Sequence, residues 1–224
     1  MIEEVKKEVE KLLNNDNSGH GIDHINRVLN LSLKFNLNEK ANEDIISLIA
    51  LLHDVDDYKL FGIENSKNLT NAKNIMNKFK IDKNIQNIVC NEINNIGYSK
   101  RLKGCIPNTI EGKIVSDADM CDAIGTHGIL RTYQYNLSKN RSFFDKDIYP
   151  IEDINEEKYK QDKKTTCICH FFEKILKLKD LMLTESGKKE ALKRHKITVD
   201  FLYNFFEEED TKEWSNYLTK YLKK

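Results

Sequence analysis

The segment Ile45-Ile46-Ser47-Leu48-Ile49-Ala50-Leu51-Leu52 is apolar on nearly every side, and it ends abruptly in His53-Asp54-Val55-Asp56-Asp57. A helix that is apolar all round belongs in the interior of a domain rather than on its surface. Its polar end then needs a reason, because burying an imidazole beside an ionised carboxylate costs several kcal/mol unless each group is paired or bound to a metal. Two readings are open on this segment alone. A divalent cation is the most economical partner; alternatively, His53 caps the last carbonyls of the helix while Asp54, Asp56 and Asp57 face water.

The rest of the chain reads as helix almost throughout. Only Pro107 and Pro150 interrupt it, and alternating apolar and polar runs are scarce. Apolar spacing predicts helices over about 2–14, 22–36, 43–54, 63–80, 82–96, 109–124, 165–181 and 184–209. The helix from 109 has an open continuation past Gly125 to Leu137, and Tyr58 to Gly62 reads as a turn. The polar stretch 138–163 reads as a long loop or lid. A chain of 224 residues can bury about 70% of its unfolded surface in one core, so a single domain is expected. Lys plus Arg and Asp plus Glu are both 36, which argues against a nucleic-acid polymer as partner. Five scattered cysteines without a CxxC pair suit a reducing, cytoplasmic setting. Cys167-x-Cys169, just before His170, has the wrong spacing for a zinc knuckle. No signal peptide and no bilayer-spanning run is evident, so no membrane partner is expected.

Metal-ligand residue types recur on three of these helices. His20 and His24 stand four apart at the start of the second helix, with His24 beside the apolar Ile25 and Val28. Asp117, Asp119 and Asp122 interrupt the apolar helix that begins near Thr109. Asp117 and Asp122 read as a polar face, whereas Asp119 sits between Ala118 and Met120 and is harder to leave in solvent. His24, His53, Asp54 and Asp119 together make a mixed nitrogen and oxygen set that suits Mn, Co, Ni, Mg, Fe or Zn with water in the open positions.

This ordered set, a histidine, a His-Asp doublet and a later aspartate, resembles the signature of the HD-domain metal-dependent phosphohydrolase superfamily. The likeness extends through His20-Gly21-Ile22-Asp23-His24, Ile114-Val115-Ser116-Asp117-Ala118-Asp119, Ala123-Ile124-Gly125, His170-Phe171-Phe172-Glu173-Lys174-Ile175-Leu176 and Thr184-Glu185-Ser186-Gly187-Lys188. It is similar to one branch of small bacterial HD hydrolases. The resemblance implies an all-α, single-domain HD-type helical bundle over 1–224, with a core motif region at about 18–130 and C-terminal helices at about 165–222 packed on it. It also implies metal held by His24, His53, Asp54 and Asp119, and hydrolysis of phosphate esters or anhydrides in nucleotides. Relatives of this type often carry a further histidine near Asn94 to Ser99, where this chain has Ile96, so one metal per site is expected. A basic residue often follows the Ala-Asp pair, where Met120 stands here.

The expected activity is attack of metal-activated water on a small phosphorylated metabolite, a nucleoside triphosphate above all, with release of phosphate or pyrophosphate. The alternative is a metal-retaining HD module that binds a nucleotide or signalling phosphate without hydrolysing it. Asp57 is the first candidate for proton acceptor, three residues past Asp54 if the helix continues one more turn. Asp56 and Asp23 are its rivals, and a plain surface carboxylate is the bland alternative. His20 is assigned to catalysis, and Arg27, Lys59, Arg131 and His170 to phosphate oxygens. His127 and His195 carry no assignment. Phe171, Phe172, Phe201, Phe205 and Phe206 read as core packing, while Tyr135, Phe143, Phe144 and Tyr149 are placed to close over a nucleobase.

Overall fold

The computed structural model describes residues 1–13, 21–151 and 165–223, and for Lys59 the backbone alone. Twelve α-helices and one 3-10 helix make up the secondary structure of these residues, with no strand among them. The backbone groups into two compact units, 1–122 with 183–187, and 123–182 with 188–224.

The first unit holds α1 (Ile2–Leu13), α2 (Ile22–Glu39), α3 (Glu43–Leu52), α4 (Tyr58–Asn68), α5 (Thr70–Lys78), α6 (Lys83–Ile93), α7 (Tyr98–Leu102) and α8 (Ile110–Asp122). Its core is α3, against which α1, α2, α6 and α8 all pack. Every residue of α3 from Ile46 to Leu52 is buried, as the all-round apolar pattern requires. Each Leu or Ile so buried contributes about 1.5–3 kcal/mol over its exposed state. The start of α3 is set by Asn42, whose side-chain oxygen accepts from the Asp44 and Ile45 backbone N–H groups at 3.0 and 3.2 Å.

Three buried carboxylates hold later turns of this unit by the same means. Asp56 accepts from the Asn71 and Ala72 N–H groups, both at 2.9 Å, at the start of α5. The capping position there is Leu69, which has no oxygen to offer and adopts a left-handed backbone, φ 51°. Asp56 therefore supplies from a distance what the local residue lacks. Glu92 accepts from Asn108 and Thr109 at 3.0 and 3.3 Å before α8. Asp117 accepts from the N–H and Oγ1 of Thr184 at 2.7 and 2.8 Å, and from the N–H of Leu183 at 2.9 Å. Gly187 lies so close that a Cβ there would collide with the Asp117 carboxylate.

Several expected boundaries differ, and the helix expected over 63–80 is divided at Leu69. The turn expected at Tyr58 to Gly62 is helical, and α4 is kinked rather than begun at Gly62, which has φ 83°. The helix from 109 stops at Asp122; Ile124 is extended, and Gly125, with φ 76°, opens a new helix. A side chain at 125 would also press on Arg194, its Cβ at 3.1 Å from the Arg194 Cβ. The single helix expected over 165–181 breaks at Lys174 (φ −134°) into an α-helix and a 3-10 helix. The apolar residues Ile175, Leu178 and Leu181 recur every three residues there, the period of the 3-10 form.

The second unit contains α9 (Gly125–Ser138), α10 (Cys167–Glu173), the 3-10 helix Ile175–Leu181, α11 (Glu185–Glu208) from Lys188 onward, and α12 (Lys212–Tyr221). An aromatic cluster fills it. Trp214 is buried against Phe144, Phe172, Phe206 and Tyr217, and Tyr149 stacks on it with ring centroids 4.7 Å apart. The Trp214 Nε1–H donates to the Lys146 carbonyl at 3.1 Å, which fastens the 142–151 segment to α12. Phe143 likewise packs edge-on against Phe205. Phe143, Phe144 and Tyr149, expected to close over a nucleobase, each pack against other rings of this cluster, and Tyr149 remains 48% exposed. Residues 152–164 of the expected loop lie outside the described residues.

Candidate metal centre

His24 is on the first turn of α2, only 2% exposed, in the face that α2 turns to α8. Its Nδ1–H donates to Asp122 Oδ2 at 2.8 Å. One turn along α2, Arg27 grips the same carboxylate with two N–H groups, Nε to Oδ1 at 2.7 Å and Nη2 to Oδ2 at 2.9 Å. His53 caps the end of α3, and its Nδ1–H donates to the Ala50 carbonyl at 2.8 Å. His53 thus caps the helix with one ring nitrogen and turns the other to the site, while Asp56, which the capping reading left facing water, is buried.

The two Nε2 atoms face each other at 3.3 Å. Asp119 Oδ1 lies 3.4 Å from His24 Nε2. Asp54 Oδ2 lies 3.5 Å from His24 Nε2 and 3.7 Å from His53 Nε2. Ligand atoms of His24, His53 and Asp119 all fall within 4.8 Å of one another.

With both Nδ1 atoms donating, both Nε2 atoms present lone pairs, and the carboxylate oxygens are acceptors too. Four electron-rich atoms converge on one small volume, and a cation is the species that matches them. The residues present fit a divalent metal of the Mn to Zn series, for which imidazole and carboxylate are suitable donors. Burial by itself would raise the Asp119 carboxyl. Where a proton on the imidazoles stands in for the cation, the bond from His24 and the charge at His53 and His24 outweigh burial and hold the carboxyl below the usual carboxylate range, as an anion.

The acids on α8 divide the opposite way from the sequence expectation. Asp117 and Asp122 are 0% and 1% exposed, while Asp119 is the one left partly open. The reason is their partners: backbone N–H groups take Asp117, and Arg27 with His24 takes Asp122. Burial pushes the Asp117 carboxyl up, tempered by the Leu183 and Thr184 bonds. Asp122 was missed as a site residue, although its place three residues after Asp119 on a helix puts both on one face.

The helix α3 does not run on past the doublet. Residues 53–56 form turns, and the Asp57 carbonyl accepts the first bonds of the next helix, from Leu60 and Phe61 at 3.0 and 2.9 Å. Asp57 is half-buried at the head of α4. Asp56 is committed to capping α5, and Asp23 is exposed on the first turn of α2. Arg131, half-buried on α9, and His170, buried on α10 with its ring 5.6 Å from Tyr135, belong to the second unit. His20 and the Lys59 side chain lie outside the described residues. Cys169 Sγ approaches the Ile148 carbonyl at 3.2 Å, and burial pushes the Cys167 thiol up to about 12, so these are inert packing thiols. Among the described residues no helix is long and apolar enough to cross a membrane.

A family model of the HD domain matches residues 21–124, which include His24, His53, Asp54 and Asp119. A solved structure of a Lactobacillus plantarum protein superposes with TM-score 0.82 at 30% identity, covering 94% of this chain and 97% of its own. An HD-superfamily hydrolase from Bacillus thuringiensis shares 32% identity over the same shares of the two chains, with TM-score 0.71. YpgQ of Bacillus subtilis, solved in complex with ADP, is 26% identical with TM-score 0.71, covering 93% of this chain and 97% of its own. The ordered ligand set, the helical fold around it and these likenesses agree: the chain belongs to the HD-domain phosphohydrolase superfamily and has the fold of its hydrolases.

Proposed function

We propose that this protein is a metal-dependent phosphohydrolase that acts on a small phosphorylated metabolite, most specifically a nucleoside triphosphate, releasing phosphate or pyrophosphate. The observation that carries the reading is the convergence of His24 Nε2, His53 Nε2 and Asp119, with Asp54 beside them, as a four-residue metal set. The ADP found on YpgQ supports a nucleotide as the substrate class. A bound divalent ion supplies a water whose pKa falls from 15.7 toward about 7 and neutralises charge on the phosphoryl oxygens. The protein's part is positional. His24 and His53 aim lone pairs held by Asp122 and the Ala50 carbonyl, and Asp54 and Asp119 bring two negative charges that balance a divalent ion. Asp57, at the head of α4, is the proposed proton acceptor. His20 is proposed to join Asp57 in catalysis, and Lys59 is a proposed contact of the substrate. Residues 1–224 act as one cytoplasmic HD hydrolase on this reading, with one metal per site.

The test is hydrolysis of nucleoside mono-, di- and triphosphates by metal-stripped protein resupplied with Mn, Co, Ni, Mg or Zn, beside Asp54→Ala. Turnover of one class by the wild type, lost by about three orders of magnitude in the variant, is the expected result. Metal and nucleotide binding without product would instead favour a binding module. Failure to retain any metal would overturn the assignment of the centre.

A further inference from the structure

Resting on the metal reading above, we infer that Arg27 and Asp122 are positioning residues: a clamp that sets the tautomer of His24 and through it the metal affinity, with Arg27 not a substrate contact. Asp122 is a carboxylate 1% exposed, and a lone anion at that depth would be strongly disfavoured. Arg27 compensates it with a planar two-bond fork at 2.7 and 2.9 Å, and the bond to Asp122 raises the guanidinium above its ordinary value. So fixed, the carboxylate has only acceptor atoms to offer. Its Oδ2, 2.8 Å from His24 Nδ1, requires that nitrogen to carry the proton. The Nε2 lone pair is then obliged to face His53 and Asp119. The side-on fork of Arg27, Nε–H with Nη2–H, is occupied by Asp122, which leaves only the end-on N–H groups for any other acceptor.

An amide at 122 cannot reproduce this. Asn has one acceptor oxygen and one donor NH2 where Asp122 meets three N–H groups, so either a donor meets a donor or His24 turns to the Nε2–H tautomer. That tautomer points a proton at the centre and removes a ligand. Arg27→Lys keeps the charge but loses the fork, and Arg27→Met loses both.

Nitrogen-15 histidine spectra of the metal-free protein at pH 7.5 read the tautomer directly, and competition with a chelating dye, without any nucleotide, reads Mn affinity. Expected are an Nδ1–H His24 in the wild type, lost in Asp122→Asn, and Mn binding weakened about 10- to 100-fold in Asp122→Asn and about 10-fold in Arg27→Met. Arg27→Lys falls between Arg27→Met and the wild type. At saturating Mn, Arg27→Met recovers kcat and keeps the wild-type KM for nucleotide. Unchanged Mn affinity in Arg27→Met together with a KM raised about tenfold overturns the inference and makes Arg27 a substrate contact. An unchanged His24 tautomer in Asp122→Asn overturns it as well. A wild type that binds no metal defeats the metal reading alone, since the tautomer result stands or falls in the metal-free protein.

Discussion

Two groups of carboxylates sit within the first unit, and the difference between them separates architecture from chemistry. Asp56, Glu92 and Asp117 are buried and each accepts backbone N–H groups from a segment 15 or more positions away in sequence. Those donors are fixed dipoles that offset part of the cost of burying the carboxylate and commit it to the backbone. Asp54 and Asp119, with side chains 16% and 21% exposed, face two imidazole nitrogens instead. An acid aimed at lone pairs is satisfied only when a positive charge arrives between them. Depth of burial alone does not mark an architectural acid; Asp122 is as buried as Asp117 and yet it bonds His24. The donor each carboxylate meets is what distinguishes them.

Substitutions at matched positions of the two groups should break along that line. Asp119→Ala removes a ligand and should cut metal-dependent turnover at least 10³-fold, about 4 kcal/mol of barrier. Its thermal midpoint in metal-free buffer should stay level or rise, because one of the converging acceptors is gone. A fall of several degrees there would mean Asp119 is an architectural acid. Asp117→Ala should do the reverse. It strands the Leu183 and Thr184 N–H groups and leaves a cavity, costing about 2–4 kcal/mol. At about 2–4 °C per kcal/mol for a chain of this size, calorimetry should show a midpoint lower by roughly 5–15 °C. Turnover at 20 °C measured on the folded fraction should remain within a few-fold of the wild type.

The smallest effect tests a group in neither set. His195 is buried on α11, and burial, with Lys179 adding to it and Asp180 opposing, lowers its pKa from 6.5. A histidine whose folded pKa is depressed favours the folded state above the unfolded value and loses that contribution as pH falls through it. Stability should therefore decline as pH drops below about 6.5. Denaturant titrations between pH 7.5 and 5 should show a shallower decline in His195→Gln than in the wild type. An identical slope in both would mean that His195 titrates normally in the folded chain.

Much of this molecule is legible without coordinates because its strongest signals are local. The apolar run to Leu52 could only be an interior helix, and the reading of an all-α chain follows from periodicity that the structure reproduces in α2, α6 and α8. The ordered His24, His53-Asp54 and Asp119 set was likewise visible, since imidazoles and carboxylates set into apolar helices each need a partner and one shared cation would serve all four. Boundaries were less legible where the backbone leaves helical space at single residues, as at Gly62, Leu69 and Lys174.

What sequence alone could not assign was the duty of each neighbouring acid. Asp54 and Asp56 are two positions apart, as are Asp117 and Asp119, and their side-chain chemistry is identical. Which member of each pair meets backbone N–H groups and which meets an imidazole depends on Asn71, Ala72, Thr184 and His24, brought in from elsewhere in the chain. Sequence by itself determined the helices, the buried centre and the types of ligand available. Only the tertiary structure decided which acids are spent on the fold and which face the site, because an anion's role is set by the donors around it and those come from remote segments.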